Sequence, residues 1–129
     1  HELQHFGVIH SCGGGSGGSD SASASDLESK TIDLGESLFH DTNLSLDRTQ
    51  SCATCHDPAQ AFADGKPLAV GRDTGIRNTP TLYNAAYQRW YFWDGRADTL
   101  WSQTLGPLER DVEMGGTRVG LLHRIAGDK

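Results

Sequence analysis

The sequence predicts an all-α domain with long loops, and three kinds of pattern support this fold class. Apolar residues recur at helical spacing in short segments, turn clusters rich in glycine and proline separate those segments, and no stretch before Cys52 reads as a buried strand. The chain has 129 residues and a formal net charge of −6. This length allows one modest folded domain, and the acidic balance argues against a nucleic-acid-binding protein, in which a basic face is expected.

The first 26 residues are not expected to contribute to the folded core. Residues 1–12 resemble the remnant of a bacterial lipoprotein signal, because a short apolar run precedes Cys12, which would then carry the lipid anchor. The alternative is an unstructured leader with an incidental cysteine. Residues 13–26 are rich in glycine and serine and predict a flexible tether. No run in the chain is long and apolar enough to span a membrane.

The folded domain is predicted to occupy residues 27–129 and to begin with a helix near Leu27. The apolar residues of this segment recur at helical spacing and would form one stripe, which consists of Ile32, Leu34, Leu38 and Phe39. Residues 41–43 end the helix, and a polar loop leads to a short helical turn at Cys52. Asp57 precedes Pro58 and therefore disfavours helix, so this turn is expected to be short.

Three later helices are predicted. Thr79 and Pro80 form an N-cap followed by proline at the first helical position, which predicts a helix through Ala86. A second helix starts near Leu100 and is expected to stop at Gly106-Pro107. Thr117 is expected to cap the last helix, whose predicted apolar stripe consists of Val119, Leu122 and Ala126.

The stretch Ser51-Cys52-Ala53-Thr54-Cys55-His56 carries the most specific chemistry in the chain. A Cys-x-x-Cys-His run is the attachment signature of c-type haem, in which both thiols bond to the porphyrin and the histidine ligates the iron. A zinc site would need two more ligands at matching spacing, and a thioredoxin-like redox pair would need a βαβ context. Neither is apparent, so covalent haem is the favoured interpretation, and it implies an oxidising compartment outside the cytoplasm.

Further motifs follow in order along the chain. They are Leu34-Gly35, Leu38-Phe39, Arg77-Asn78-Thr79-Pro80-Thr81, Asn84-Ala85-Ala86, Phe92-Trp93-Asp94-Gly95-Arg96 and Val112-Glu113-Met114-Gly115. Together with the haem motif they resemble the N-terminal haem domain of bacterial di-haem cytochrome c peroxidases and the related MauG-like methylamine-utilisation enzymes. The resemblance implies two cytochrome c-like domains, each with its own haem. Only one such motif is present here, so we expect the chain to stop before a second haem domain.

The resemblance also implies roles for individual residues. Cys52 and Cys55 would anchor the haem, and His56 would be the proximal ligand to iron. Glu113 matches a distal glutamate suited to moving a proton between the two oxygens of peroxide. Gln103 matches a distal glutamine that can hydrogen-bond to bound oxygen species.

Two more residues match family positions between the two domains. Trp93 matches a tryptophan that lies between the haems and can relay electrons, and Asn78 matches a residue of an interdomain calcium site.

Simpler interpretations stand beside these roles. A lone glutamate such as Glu113 is usually a solvated loop residue. Asn78 is more typical of a loop residue that hydrogen-bonds to its own backbone. For Trp90, Tyr91 and Trp101 we favour ordinary core packing, although so many aromatic residues in a small domain also suggest a face for a partner.

Arg72 departs from the family pattern. Many di-haem peroxidases carry Val-Gly-His-Gly where this chain has Val70-Gly71-Arg72-Asp73, and the family histidine closes the resting haem. Arginine cannot ligate iron as an ordinary cation. We therefore predict an open sixth coordination position, with His40 and His123 as less favoured substitutes. This departure leaves open whether the substrate is peroxide alone or a partner protein.

The favoured function is the peroxidatic half of a periplasmic di-haem enzyme, tethered to a membrane if Cys12 is lipidated. It would reduce hydrogen peroxide to water with electrons from a small c-type cytochrome or cupredoxin, and a homodimer is a further expectation from the family. The alternative is a single-haem electron carrier in which His56 and Met114, the only methionine, ligate the iron. A regulatory haem module that binds a small ligand is a third interpretation.

Overall fold

The computed structural model describes residues 23–127, which contain four α-helices joined by long loops. In chain order the helices are α1 (Ala24–His40), α2 (Cys52–Cys55), α3 (Leu100–Glu109) and α4 (Arg118–Gly127). Single 3₁₀ turns lie at Thr42–Leu44, Pro58–Gln60 and Ala85–Tyr87. Within residues 23–127 the backbone forms isolated bridges but no β-strand, so the all-α prediction is confirmed for this part of the chain. No helix in the same range combines the length and apolar character needed to cross a bilayer.

The described chain divides into two compact units, of which the first ends at Ser37 and the second begins at Leu38. In the first unit, α1 begins earlier than predicted because Ser23 and Asp26 form a capping pair. The Ser23 amide donates to the Asp26 carboxylate at 3.2 Å, and the Asp26 amide donates to the Ser23 hydroxyl at 3.3 Å. The predicted signal remnant, Cys12 and most of the predicted tether lie outside the described residues.

The apolar stripe predicted for α1 is only partly buried. Ile32 and Leu34 are exposed, because α1 is the one element that residues 23–37, the described part of the first unit, contain. Leu38 and Phe39 belong to the second unit and are half-buried there. Leu38 packs against the core, and the ring of Phe39 meets Phe62 edge-on with 6.2 Å between ring centroids.

The core of the second unit is small. Its buried cluster consists of Leu44, Met114 and Leu121, against which Leu38 and Leu108 pack. These residues come from the end of α1, the turn after it, α3, the loop after α3, and α4. The cluster therefore connects residues 38–44 to residues 108–121, two parts of the chain that are far apart in sequence, and it sets the positions of the loops between them.

The last helix is capped as predicted but buries a different face. The Thr117 hydroxyl accepts a hydrogen bond from the Gly120 amide at 3.1 Å. Leu121 is the buried residue of α4, whereas Val119 and Leu122 are each 66% exposed, so the predicted stripe was wrong. The reason is tertiary: Arg124 lies on the same face as Leu121, one turn further on, and its guanidinium donates to the carbonyls of Asn43, Ser45 and Leu46.

The helix predicted to begin at Thr79-Pro80 does not form. Only Ala85–Tyr87 is helical there, as a single 3₁₀ turn. Asn84 precedes it with a left-handed φ of 60°, which interrupts a regular helix. The segment before it is held instead by a tertiary bond, in which the Thr81 hydroxyl donates to the Ala61 carbonyl at 2.5 Å.

The predicted stop at Gly106-Pro107 was also wrong, because α3 continues through Pro107 to Glu109. Its last carbonyls are satisfied by amides from the following loop. The Met114 amide donates to the Pro107 carbonyl at 3.2 Å, and the Gly116 amide donates to the Leu108 carbonyl at 2.8 Å. These bonds stabilise a final turn that proline alone would disfavour.

Candidate functional site

The Cys-x-x-Cys-His motif occupies one capped helical turn. The Ser51 amide donates to the Thr54 hydroxyl at 3.0 Å, and the His56 amide donates to the Cys52 carbonyl at 2.8 Å. α2 ends at Cys55, and Asp57 is extended before Pro58, as the sequence predicted. Both thiols therefore lie on a single turn, and the histidine is the residue that caps it.

The two thiols are free and half-buried. Burial raises the pKa of the Cys52 thiol, and burial together with the negative charges of Asp64 and Glu113 raises the pKa of the Cys55 thiol. A thioredoxin-like pair needs the opposite shift, because its attacking cysteine must be a thiolate near neutral pH. The redox-pair interpretation is therefore not supported by the environment of these cysteines.

The ring of His56 is oriented by a backbone carbonyl. Its Nδ1 lies 3.0 Å from the carbonyl oxygen of Phe62. Because a carbonyl only accepts hydrogen bonds, this contact requires the proton on Nδ1 and leaves the lone pair of Nε2 available to a metal. A histidine ligand to a metal is commonly oriented by such a bond from its other nitrogen.

A tight loop places the Phe62 carbonyl beside His56. Ala61 and Phe62 both have left-handed backbones, with φ of 57° and 55°, and the Phe62 amide donates to the Asp57 carbonyl at 2.8 Å. The Phe62 ring packs edge-on between Phe39 and Tyr83, with the Tyr83 centroid 5.6 Å away. Nothing in the sequence pattern indicated that Phe62 would accept a hydrogen bond from His56, since the contact is made by the main-chain carbonyl of Phe62.

These features fit a covalently attached haem. Two uncharged thiols on one turn supply the thioether anchors, and a histidine with a free Nε2 supplies an axial ligand. For the zinc alternative, no group of three or more His, Cys, Asp or Glu side chains within residues 23–127 is arranged to hold a metal ion. The donor set therefore favours haem.

Two loops meet beside the thiols. The Cys55 thiol lies 3.7 Å from the Val70 carbonyl oxygen. The Arg72 amide donates to the Glu113 carbonyl at 3.2 Å, and the Asp73 amide donates to the Val112 carbonyl at 3.1 Å. The loop of residues 70–74 thus connects the haem-attachment turn to the loop of residues 110–116, which carries Glu113.

Glu113 is half-buried rather than fully solvated. Its side chain is 35% exposed, and one carboxylate oxygen lies 3.3 Å from Nη1 of Arg110. Its charge also contributes to the raised pKa of Cys55, so the carboxylate and the thiol share one electrostatic environment. The structure therefore brings together Cys52, Cys55, His56 and, through the two loops, Glu113.

Asp64 was missed by the sequence interpretation. Its side chain is buried, one carboxylate oxygen accepts from the Lys66 amide at 3.1 Å, and the other has no hydrogen-bond partner among the described residues. Together with Glu113 it adds negative charge near Cys55. The sequence Asp-Gly-Lys-Pro around Asp64 is typical of a turn and does not indicate a buried carboxylate.

Trp93 lies at the tip of a loop closed between Tyr91 and Ala97. The Tyr91 amide donates to the Ala97 carbonyl at 2.8 Å, and Gly95 turns the chain with φ of 68°, which glycine adopts without strain. The Trp93 side chain is 61% exposed. The Trp93 indole is therefore accessible at the surface of the second unit.

The loop that carries Trp93 packs on α3 through Phe92. A Cβ added at Gly106 would approach the Phe92 ring to 2.5 Å, so glycine at this position allows the ring to lie on the helix. The Arg96 guanidinium lies over the face of the Phe92 ring, 3.5 Å from the ring centroid. Gln103, half-buried, lies on α3 one turn before Gly106.

The core assignment of the neighbouring aromatic residues was correct only for Tyr91. Tyr91 is buried, and its hydroxyl lies 3.0 Å from the carbonyl oxygens of Ala85 and Gln88. Trp90 and Trp101 are 57% and 83% exposed, so the prediction of core packing was wrong for both. The physical reason is that the Tyr91 hydroxyl has acceptors inside the fold, whereas the two indoles lie on its surface.

Asn78 and Met114 have contrasting environments. Asn78 is exposed in a loop, directly before the buried Thr79. Met114 is 6% exposed and packs in the core with Leu44 and Leu121. The electron-carrier interpretation required the Met114 sulfur as an iron ligand, and its place in the apolar cluster does not favour that role.

Comparisons with known proteins agree with this arrangement. Residues 29–129 match the family described as di-haem cytochrome c peroxidase. Over 87 residues, or 66% of this chain and 25% of the relative, the chain is 44% identical to cytochrome c551 peroxidase of Pseudomonas aeruginosa. Over 102 residues, 63% of this chain and 26% of the relative, it is 47% identical to the methylamine utilization protein MauG of Paracoccus denitrificans. The chain thus spans about a quarter of the length of these relatives.

Solved structures give the same result for the fold. The diheme peroxidase BthA from Burkholderia thailandensis superimposes with a TM-score of 0.69 and 34% identity, over 76% of this chain and 30% of that chain. A MauG-like protein associated with microbial copper homeostasis superimposes with a TM-score of 0.68 and 31% identity, over 76% and 29% of the two chains. With a helical fold, a haem-attachment turn and a family match over residues 29–129, the chain belongs to the di-haem cytochrome c peroxidase family.

Proposed function

We propose that this chain is the peroxidatic haem domain of a di-haem peroxidase that reduces hydrogen peroxide to water. The observation that carries the proposal is the meeting of three segments: the turn with Cys52, Cys55 and His56, the loop of residues 70–74, and the loop with Glu113. Relatives named cytochrome c peroxidase support this activity over the other functions weighed for the sequence. Electrons would come from a small c-type cytochrome or cupredoxin by way of a second haem.

Three residues would hold the haem. Cys52 and Cys55 would be bonded to it through sulfur, and His56 would ligate its iron through Nε2 while Nδ1 donates to the Phe62 carbonyl. When bound, the haem iron supplies the electrons for cleavage of the peroxide O–O bond. The hydrogen bond to the Phe62 carbonyl would hold the His56 ring in one orientation and one tautomer.

Glu113 is the proposed proton carrier. Peroxide must lose a proton from one oxygen and gain one at the other for water to leave, and a half-buried carboxylate can accept and return that proton. Arg110 provides a cation beside the carboxylate in the present arrangement. Gln103 would donate a hydrogen bond to a bound oxygen species from α3.

Two roles connect the domain to the rest of a longer protein. Trp93, on its exposed loop tip, would relay electrons between the two haems. Asn78 would contribute one oxygen ligand to a calcium site between the two domains. Location in the periplasm, a lipid anchor at Cys12 and homodimer formation complete the proposal.

The environment of Arg72 supports an open sixth position on the iron. Its guanidinium donates to the Asp47 carboxylate and the Asp111 carbonyl, each at 2.9 Å, and a protonated guanidinium cannot ligate iron. We therefore expect the ferric haem-loaded protein to give a high-spin resonance spectrum without prior reduction. A low-spin, bis-histidine spectrum would overturn this part of the proposal.

The activity can be tested on the haem-loaded chain, produced with a haem-maturation system and mixed with hydrogen peroxide in a stopped-flow instrument. Glu113→Gln is expected to slow the reaction of the ferric protein by about 10²- to 10⁴-fold, because it removes the proton carrier. Glu109→Gln is the matched control. The Glu109 side chain is also 35% exposed and paired with an arginine, but its partner is Arg118, on α4.

Three outcomes would contradict the proposal. They are protein that attaches no haem, ferric protein that does not react with peroxide, and equal rates for the Glu113→Gln and Glu109→Gln variants. A far-red sulfur-to-iron charge-transfer band would instead support the electron-carrier function through Met114.

A further inference from the structure

Arg72 lies at the centre of the contacts between three loops. Its Nε donates to the Asp47 carboxylate at 2.9 Å, and its Nη1 donates to the Asp111 carbonyl at 2.9 Å. Its own backbone amide donates to the Glu113 carbonyl at 3.2 Å. One residue thus connects the loop before α2, the loop of residues 70–74, and the loop that carries Glu113.

The loop opposite Arg72 is shaped to receive the guanidinium. Gly115 has a φ of 65°, and a Cβ added there would overlap with Nη1 of Arg72. Gly71 has the same relation to the Glu113 main chain, since an added Cβ would lie 2.9 Å from the Glu113 Cα. Side chains are therefore excluded at the two places where these loops touch, which permits close approach of the main chains.

The contact between Arg72 and Asp47 is held in a defined geometry from the Asp47 side. The Arg72 side chain is 25% exposed, and Asp47 also accepts hydrogen bonds from the Thr49 amide and hydroxyl, at 3.2 and 2.8 Å. The carboxylate is thus fixed by its own loop before it meets the arginine. A guanidinium held by a fixed carboxylate can position whatever its other nitrogen contacts, here the main chain at Asp111.

From these contacts we infer that Arg72 is a positioning residue for Glu113. The guanidinium and the backbone amide of Arg72 contact the Glu113 loop at Asp111 and at Glu113 itself, so they set where the Glu113 carboxylate stands relative to the haem-attachment turn. The inference rests on the proposed function, because Glu113 is the proposed proton carrier. In this inference Arg72 acts through the Glu113 loop and not on the peroxide itself.

A double-mutant cycle in the haem-loaded chain tests this inference. Arg72→Gln is expected to slow the reaction with peroxide by about ten- to one-hundred-fold, since a small displacement of a catalytic group has effects of this size. In a Glu113→Gln background the same change should alter the rate by less than about twofold, because a residue that acts through Glu113 loses its effect without it. Arg72→Lys should be intermediate, and Arg118→Gln, a paired arginine on α4, should leave the rate unchanged.

Amide hydrogen exchange provides a second readout that does not depend on activity. Arg72→Gln and Asp47→Asn are each expected to speed exchange across residues 110–116 by about tenfold and to leave exchange in α4 unchanged. If Arg72→Gln does not fold, Asp47→Asn and Arg72→Lys still report on the same contacts.

The possible results separate this inference from the proposed function. Equal slowing by Arg72→Gln in both backgrounds, or unchanged exchange across residues 110–116, would overturn the positioning role. An unchanged rate for Glu113→Gln would instead overturn the role of Glu113, and the exchange measurement would still show whether Arg72 orders the loop.

Discussion

Gly71 is a point of close main-chain contact between the loop of residues 70–74 and the loop that carries Glu113. A Cβ added at Gly71 would lie 2.8 Å from the Val112 carbonyl oxygen and 2.9 Å from the Glu113 Cα. Both are main-chain atoms that cannot rotate away. The glycine is therefore required by steric contact between two loops, and the sequence alone showed only a turn.

The substitution Gly71→Ala is expected to lower the free energy of unfolding by about 1–3 kcal/mol, because the added methyl group forces the two loops apart. Gly35→Ala is the matched control. Gly35 lies within α1 with no atom within 4 Å of an added Cβ, so alanine there should be neutral or stabilising by up to about 1 kcal/mol. Urea unfolding of the two variants measures the difference, and equal midpoints would show that the loops can separate without cost.

Asp47 gives the molecule a defined response to acid. Hydrogen bonds from Thr49 and Arg72 lower the pKa of Asp47 from 3.8 to about 2 in the folded state. The unfolded chain therefore binds more protons than the folded chain between these two values. The contribution of Asp47 to stability is complete above about pH 4 and is lost as the pH falls towards 2.

We therefore expect Asp47→Asn to lower stability at pH 6 and to remove the part of the acid response that depends on Asp47. The effect should be modest and should decrease with added salt, because Asp47 is accessible to solvent. Urea midpoints at pH 6, 4, 3 and 2 measure it, with Asp33→Asn on α1 as a charge-matched control. Parallel curves for the wild-type protein and Asp47→Asn would contradict the assignment.

At the scale of single elements, α4 illustrates how neighbours choose the buried face of a helix. The apolar residues of α4 allow more than one stripe, and its sequence does not distinguish Leu121 from Leu122. Leu121 packs with Leu44 and Met114 because Arg124 binds the carbonyls of the turn after α1. The side-chain register is thus decided by a contact about 80 residues away in sequence.

This arrangement makes a prediction about adjacent leucines. Leu121→Ala should lower the free energy of unfolding by about 2–5 kcal/mol, because it leaves a cavity in a small core. Leu122→Ala changes the same type of residue in the same helix at a position that is 66% exposed, so its effect should stay within about 0.5 kcal/mol. Thermal or urea unfolding compares the two, and a larger effect at Leu122 would contradict the observed packing.

α2 shows that a very short element can still be well defined. Four residues cannot form a stable helix alone, so the turn depends on its flanks. Ser51 and Thr54 satisfy the first amides, and the loop of residues 57–63 returns to hold the His56 ring. The motif predicted the turn, whereas the orientation of His56 follows from the fold of that loop and from the rings packed on Phe62.

For the whole molecule, the main feature of the second unit is how little apolar surface it buries. The buried cluster has three members, and the three tryptophans, Trp90, Trp93 and Trp101, are all more than half exposed. A domain with so small a core has little stability in reserve. Under the proposed function, covalent haem would add a large apolar body to this unit.

We therefore expect the haem-loaded chain to melt at a temperature about 10 °C or more above the same chain without haem. A chain with Cys52→Ser and Cys55→Ser, expressed with the same maturation system, is the control and should not show this increase. Circular dichroism at 222 nm follows the melt because the described fold is helical. Equal melting temperatures would show that the protein core is sufficient by itself.

The all-α class, the haem-attachment turn, the cap at Thr117 and the family are properties that the sequence by itself determined, because each depends on residue type and local spacing. Local signals failed at Pro107, where amides of the following loop satisfy the last carbonyls of α3, and at Thr79, where a bond from Thr81 to Ala61 holds the segment without a helix. Tertiary structure alone decided that Leu121 is buried, that the Phe62 carbonyl orients His56, and that Arg72 lies between Asp47 and the Glu113 loop. The physical reason is that the contacts of Leu121 and Arg72 join segments remote in sequence, and that the contact at His56 is made by a main-chain atom, which no residue type reveals.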